Sequence, residues 1–425
     1  MTDQQPYLVI SSDCHAGLPN EKYRAYLDPQ FRDQFDAYLA DRTKMLELAQ
    51  RGLLNEEFAE EWHHDNEEGL RGGWDAARRD KELDADGVVG EVIFPDADAV
   101  SSGASAPFGA GLGAAGDVDP VLLLAGARAH NRWLAELCAA SPHRRAGVAV
   151  VPIYDVDAAV VEIRRARESG LRGGILIPSM WKPHPPYHDE RYDPVWSVCQ
   201  ELEMPVHVHS GAADKTQYGP HVGIYTTEVR WWSARPLHFL IWSGVFERFP
   251  RLQFVVTESG AFWVPDLLWT MDTVYDREHG ARKLGSVLTS KMSMRPSEYF
   301  DRNCSIGASN TRRRELARRY EIGVGNIMWG NDFPHPEGTW PHTREWLRRA
   351  FHDVPIDETR TMLGLNAAAL YRFDVDSLTP LAAQIGPTPA EFTQTGDEAA
   401  KWAELEAAGR PWITEIEALP IPGGS

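Results

Sequence analysis

Eight short candidate strands, most of them rich in Val and Ile, recur along this 425-residue chain, and amphipathic helical stretches separate several of them. The candidate strands are Tyr7–Asp13, Gly87–Pro95, Ala146–Pro152, Arg172–Pro178, Pro205–Ser210, Leu252–Glu258, Asn303–Gly307 and Asn326–Asp332. Helical patterns cover Val121–Ala140, Val156–Ser169, Pro194–Glu203 and Thr311–Tyr320. Continuous apolar strands with helices between them predict a parallel sheet buried on both faces. Eight such units predict an α/β fold closed into a barrel, and the chain length fits one such barrel with insertions. An open doubly wound sheet is the competing fold, but no Gly-rich phosphate loop follows the first strand.

Two regions fall outside this rhythm. Residues 21–81 are charged and helical in pattern, and they sit where active-site loops leave the first strand of a barrel. They are read as a helical cap inserted after that strand, with an embellishment on the outer surface as the alternative. Residues 374–425 mix Pro and Gly turns with a short helix near Glu398–Ala408. They are read as a loosely packed C-terminal extension that could instead wrap a second copy in a homodimer. Residues 1–373 are then the barrel.

Composition narrows the partners. Lys and Arg total 43 against 62 Asp and Glu, a formal net charge of −19. Such a surface repels phosphate backbones and anionic lipid, so neither nucleic acid nor membrane is expected as a partner. No apolar stretch is long enough to span a bilayer, and the N-terminal residues lack the pattern of a signal peptide. The four cysteines are scattered, with neither zinc-finger spacing nor a disulfide framework, which predicts a reducing cytoplasm.

The chemistry sits at the strand ends. Asp13 and His15 close the first strand as D-C-H, and residues two apart on a strand share a face. His207 and His209 repeat this spacing in H-V-H on the fifth strand. Glu258 ends the sixth strand and Asp332 the eighth. Carboxylates and imidazoles at the C-terminal ends of barrel strands converge on the face that carries catalysis. Oxygen and nitrogen donors without thiolate suit Zn, Mn, Fe or Co. His335, three residues beyond Asp332, is a candidate for proton transfer. His63, His64 and Asp65 in the insertion either reach over the site or form a solvated polar turn. Trp181, Trp231, Trp232, Trp263 and Trp340 follow strand ends, where they would line an aromatic pocket for a flat or bulky small molecule or else pack barrel against helices.

The motifs D-C-H, M-P-V-H-V-H-S-G, L-I-W-S-G-V-F-E-R-F-P-R-L-Q-F-V-V-T-E-S-G, M-W-G-N-D-F-P-H and G-L-N-A-A-A-L-Y, in this order, resemble the amidohydrolase-related proteins. These metal-dependent barrels include aminocarboxymuconate-semialdehyde decarboxylase, resorcylate-type decarboxylases and ring-product hydrolases. The resemblance runs from about Tyr7 to Phe373. It implies a distorted (β/α)8 TIM barrel with one catalytic divalent ion, whose ligands by position are Asp13, His15, His209 and Asp332. The chain departs from many members in carrying D-x-H rather than H-x-H on the first strand. Glu258 stands where many members place a histidine, and it is read as an acid/base or an extra ligand. No bridging Lys or Glu ends the fourth strand, which argues for one metal.

The expected reaction is hydrolysis or non-oxidative decarboxylation of an aromatic or bulky carboxylate or carbonyl compound. A bound Zn, Mn or Fe ion would act as Lewis acid. In hydrolysis Asp332 takes a proton from water while His209 and Glu258 steady charge. In decarboxylation Glu258 or His335 returns a proton to carbon. His207 is counted with Asp332, Glu258 and His335 as a catalytic candidate. The surplus of carboxylate and imidazole leaves a second reading, a non-haem diiron monooxygenase on the same barrel. A metal-free binding scaffold is the third.

Overall fold

The computed structural model describes residues 4–50, 56–97, 104–112, 118–179, 181–182, 184–213, 218, 221–281, 290–393, 400, 404 and 407. Eight strands, β1 (Ile10–His15), β2 (Gly90–Phe94), β3 (Arg145–Val150), β4 (Gly174–Leu176), β5 (Val206–His209), β6 (Phe254–Thr257), β7 (Cys304–Ser309) and β8 (Ile327–Gly330), lie side by side in chain order. Every neighbouring pair is parallel. The α/β barrel expected from the sequence is therefore the architecture of the chain.

Strand alternation divides the apolar residues between two cores. Ile93, Ala149, Ile175, Val208, Val256 and Ile306 pack outward with helical residues such as Trp133, Ile163 and Trp196. Val92, Phe94, Val148, Val150, Leu176 and Val255 form the other core. Both faces of each strand are buried, which is why these runs read as continuous rather than alternating hydrophobicity. Some helices start where the sequence supplies caps. Asp75 accepts from the backbone of Ala77 and Arg78 ahead of the helix Ala76–Asp86, and Asp119 accepts from Val121 ahead of Pro120–Ala139. Each cap satisfies amide groups that the first helical turn leaves open.

The seam between the last and first strands is distorted. Past β8, the Asp332 amide donates to Asp13 O at 2.8 Å and the His15 amide to Phe333 O at 2.6 Å. Among the described residues the bridge there is a single one, Cys14 to Phe333. Close approach requires glycine at residue 330, because a Cβ there would stand 2.7 Å from Asp13 Cβ. The seam thus brings Asp13, His15 and Asp332 together before any side-chain contact is counted.

The insertion after β1 carries helices Arg32–Gln50, Glu56–Leu70 and Ala76–Asp86. Its last helix is tied to the barrel by a buried ion cluster. Arg79 grips Glu91 of β2 through two nitrogens at 2.8 and 2.7 Å, and Arg145 of β3 reaches the same carboxylate at 3.3 Å. Arg79 also donates to His15 O at 2.9 Å. The C-terminal region corrects the expectation of a loose tail. A helix, Val375–Ile385, buries Leu378 and Ala382, and Phe392 stacks near Tyr7 with ring centroids 4.9 Å apart. The short helix expected near Glu398–Ala408 falls almost wholly outside the described residues. Among the described residues no helix is long and apolar enough to cross a membrane.

Candidate metal centre

Asp13 sits where the pairing of β1 with β2 shifts register between Ser11 and Cys14. Such an irregularity re-aims a side chain at a strand end. Asp13 Oδ1 lies 3.1 Å from His209 Nε2 and 3.4 Å from His15 Nε2, and His15 Nε2 lies 3.2 Å from Asp332 Oδ1. Ligand bonds of about 2.0–2.2 Å to one ion leave donor atoms about 3 Å apart, so this spacing is that of a coordination shell.

The hydrogen bonds around the cluster set its donors. His15 Nδ1 meets Pro95 O at 2.7 Å, and His209 Nδ1 meets Ser210 O at 3.0 Å. A carbonyl only accepts, so each Nδ1 carries the hydrogen and each Nε2 presents its lone pair to the common point. Asp13 Oδ2 accepts from the Ser309 hydroxyl at the end of β7. His15 Nε2 and Asp332 Oδ1 are buried and make no well-directed hydrogen bond among the described residues. Two orphaned donor atoms facing each other inside a protein are what a divalent cation would satisfy, and the residues present fit one.

The neighbours of this cluster lean toward its open side. His335 stacks on His15 with centroids 3.9 Å apart, places Nδ1 3.0 Å from Asp332 Oδ1 and donates from Nε2 to Asp96 O at 2.9 Å. Glu258 Oε2 lies 3.2 Å from His209 Nδ1, and its side chain is 23% exposed toward a cavity. Glu258, Asp332 and Glu337 bring carboxylate oxygens within 4.8 Å of one another. Glu258 and Asp332 both adopt positive φ, 56° and 59°. That conformation costs a non-glycine residue about 1 kcal/mol and turns each side chain inward just past its strand.

Crowded charge shifts these groups. Burial opposes ionisation of Asp13, but the imidazoles of His209 and His15 outweigh it and hold the carboxyl well below the usual range. Burial together with the charges of Asp332 and Asp13 pushes Glu258 well above that range. Burial would lower His335, yet Asp332, Glu337 and Glu258 raise it well above an ordinary imidazole.

His207 is not part of this cluster. Its Nε2 donates to Gly173 O at 2.9 Å, its ring lies against Phe94 and Tyr371, and burial lowers its pKa to about 3. It shares the strand face of His209 but lies a layer deeper, as a neutral hydrogen-bonded ring. His63, His64 and Asp65 lie on the helix Glu56–Leu70, not on a polar turn. His63 and His64 line a separate cavity of about 500 Å³ together with Trp62, Trp74, Pro334 and Pro336.

A cavity of about 600 Å³ is lined by Glu258, His335, Glu337, Arg42, Tyr225 and Arg230 among others. A second, about 420 Å³, shares Glu258, Glu337 and Arg230 with it and adds Asp332 and Phe262. The five tryptophans expected there are not among the lining residues of either cavity. Trp181 and Trp232 pack around Arg235, and Trp340 packs on Phe333 and Trp62. Sequence reasoning missed Glu337 and Ser309. Glu337 follows His335 in the same strand-end loop, a signal that was available, whereas Ser309 lies beyond the predicted end of β7.

Comparison with known proteins identifies the family and the fold. The family model for amidohydrolases matches residues 13–373. A gamma-resorcylate decarboxylase of Rhodococcus jostii (strain RHA1) is 28% identical over 265 residues, 58% of this chain and 77% of that one. The structure of a 5-carboxyvanillate decarboxylase from Sphingomonas paucimobilis superposes with a TM-score of 0.60 at 21% identity, covering 86% of this chain and 98% of that one. A 5-carboxyvanillate decarboxylase from Novosphingobium aromaticivorans DSM 12444, complexed with manganese and 4-hydroxy-3-methoxy-5-nitrobenzoic acid, superposes with a TM-score of 0.58 at 18% identity. It covers 88% of this chain and 99% of that one. These relatives lend no support to the oxygenase or scaffold readings. With its barrel, its ordered motifs and a family match over nearly the whole barrel, the chain belongs to the amidohydrolase family.

Proposed function

We propose that this protein is a metal-dependent, non-oxidative decarboxylase of an aromatic carboxylate. The observation that carries the reading is the buried cluster of Asp13 Oδ1, His15 Nε2, His209 Nε2 and Asp332 Oδ1, with successive contacts of 3.1–3.4 Å, opening toward a cavity edged by Glu258 and His335. These four residues would hold the ion, manganese by analogy with the Novosphingobium aromaticivorans complex. A divalent ion there supplies Lewis acidity toward a substrate oxygen.

The chain's own residues supply the rest. Glu258, at the cavity wall, presents its carboxyl to the ring carbon that loses the carboxylate. As the carbon–carboxylate bond breaks, its electron pair stays on the ring carbon, carbon dioxide leaves, and the Glu258 proton completes the new C–H bond. Solvent then reprotonates Glu258 through the open side of the cavity. His335 fixes Asp332 by its Nδ1 contact and is itself fixed by Asp96 O. The insertion at 21–81 contributes Arg42 to the cavity wall, which supports its reading as a cap on a barrel of 1–373 extended by 374–425.

The test is direct. Manganese-loaded protein should release carbon dioxide and the matching phenol from 2,6-dihydroxybenzoate or 5-carboxyvanillate without consuming oxygen. No carbon dioxide from either acid, with manganese bound at one per chain, overturns the reading.

A further inference from the structure

One cation stands at the junction of the two cavities without a carboxylate of its own. Arg230, on the helix Val222–Trp242, lines both of them. Its guanidinium lies 5.4 Å over the Phe262 ring and makes no ion pair or side-chain hydrogen bond among the described residues. Arg314 also lines the smaller cavity, and Arg42 and Arg312 at these walls are held by neighbouring side chains. Arg42 donates to Tyr38 Oη and Ser105 Oγ, and Arg312 lies 4.8 Å over the Trp346 ring. The acidic lining is heavy by contrast, with Glu258, Glu337 and Asp332 close together. Against this acidic wall, Arg230 is the arginine that lines both cavities.

Which anionic group Arg230 would hold follows from the reaction. A scissile carboxylate loses its charge as carbon dioxide forms. A cation bound to it stabilises the ground state more than the transition state and slows the step. A guanidinium bound to a carboxylate that survives the reaction carries no such cost, because its contact is equal in both states. We propose that Arg230 is a specificity-determining residue that binds a second, non-reacting carboxylate, so that the substrate is an aromatic acid with an additional anionic substituent. Phe262 supports the guanidinium from below, and Tyr225 and Val229 supply cavity wall on the same helix. The inference rests on the decarboxylase reading and names its substrate class.

The test uses two unreactive probes that differ by one group. 4-Hydroxy-3-methoxy-5-nitrobenzoate has a nitro group in place of the scissile carboxylate and keeps the second one, whereas 2-methoxy-6-nitrophenol lacks it. Calorimetric titration of manganese-loaded protein should give tighter binding of the acid. R230Q should weaken the acid at least five-fold and the phenol less than two-fold, and R230K should recover part of the loss. Raising salt to 0.5 M should narrow the acid preference of the wild-type protein and leave that of R230Q unchanged. Equal weakening of both probes, or of neither, overturns the role of Arg230, while carbon dioxide release by the wild-type protein would leave the decarboxylase reading standing. Failure of the wild-type protein to bind either probe, together with no carbon dioxide release, overturns both.

Discussion

At the scale of single residues, the site depends on which atoms are held and which are left open. Asp332 Oδ1 faces both His15 Nε2 and His335 Nδ1, at 3.2 and 3.0 Å. Asp332→Asn keeps the shape of the side chain but puts a neutral amide where charge is needed. It should lower manganese content and reduce turnover by about 10²–10³-fold, with an unchanged circular dichroism spectrum. Loss of the folded spectrum would instead assign Asp332 to stability. Ser309 lines the smaller cavity, and its hydroxyl donates to the free oxygen of Asp13. In the proposed centre it would position a metal ligand. Ser309→Ala should weaken manganese binding by roughly ten-fold or more, as loss of a ligand's hydrogen-bond partner does elsewhere. Excess manganese should restore activity. An affinity equal to wild type would remove Ser309 from the site.

At the scale of elements, the distorted seam between β8 and β1 is the feature that assembles the centre. Gly330 ends β8 opposite Ser309 and beneath Asp13. Gly330→Ala would push a methyl group to 2.7 Å from Asp13 Cβ, inside any normal contact, so strand or ligand must move. Metal affinity should fall more steeply than melting temperature, and metal titration beside thermal unfolding would separate the two. The seam also explains what the sequence made legible. Period-two placement put Asp13 and His15 on one side, and Cys14 does turn away, its thiol reaching Asn331 Oδ1 at 3.1 Å. The same rule placed His207 with His209, because alternation gives a face but not a depth along the barrel axis. Strand ends were harder to place. A predicted end at Gly307 hid Ser309, since Ala308 and Ser309 carry no β-branched signal. Pro380 inside the helix Val375–Ile385 made that stretch resemble a turn, although its buried Leu378 and Ala382 hold it on the barrel. The tryptophans misled for another reason. Large rings after strand ends satisfy packing between helices as readily as they line a cavity.

At the scale of the whole molecule, stability and acidity are coupled through a buried carboxylate that is not one of the proposed ligands. Asp86 ends the last helix of the insertion and accepts from the Thr343 amide at 3.0 Å, joining the insertion to the helix Thr343–Phe351 that follows β8. Burial raises its pKa from 3.8 to about 6, more than the hydrogen bonds from Thr343 and Asn331 lower it. The folded state therefore holds this proton more tightly than the unfolded chain. Its contribution to stability is complete below about pH 4 and is lost as pH rises through about 6, a change on the order of 3 kcal/mol for a shift of this size. The formal net charge of −19 works in the same direction, because raising pH strengthens general repulsion. Salt separates the two effects, since it screens exposed charges and leaves a buried one largely unscreened. In 0.5 M salt, melting temperature should still fall between pH 5 and 8 in the wild-type protein. Asp86→Asn keeps the oxygen that accepts from Thr343 and cannot ionise. It should melt near the wild-type temperature below about pH 4, above it at pH 5, and further above it at pH 8. Parallel pH profiles for the two proteins in high salt would place the dependence elsewhere in the fold.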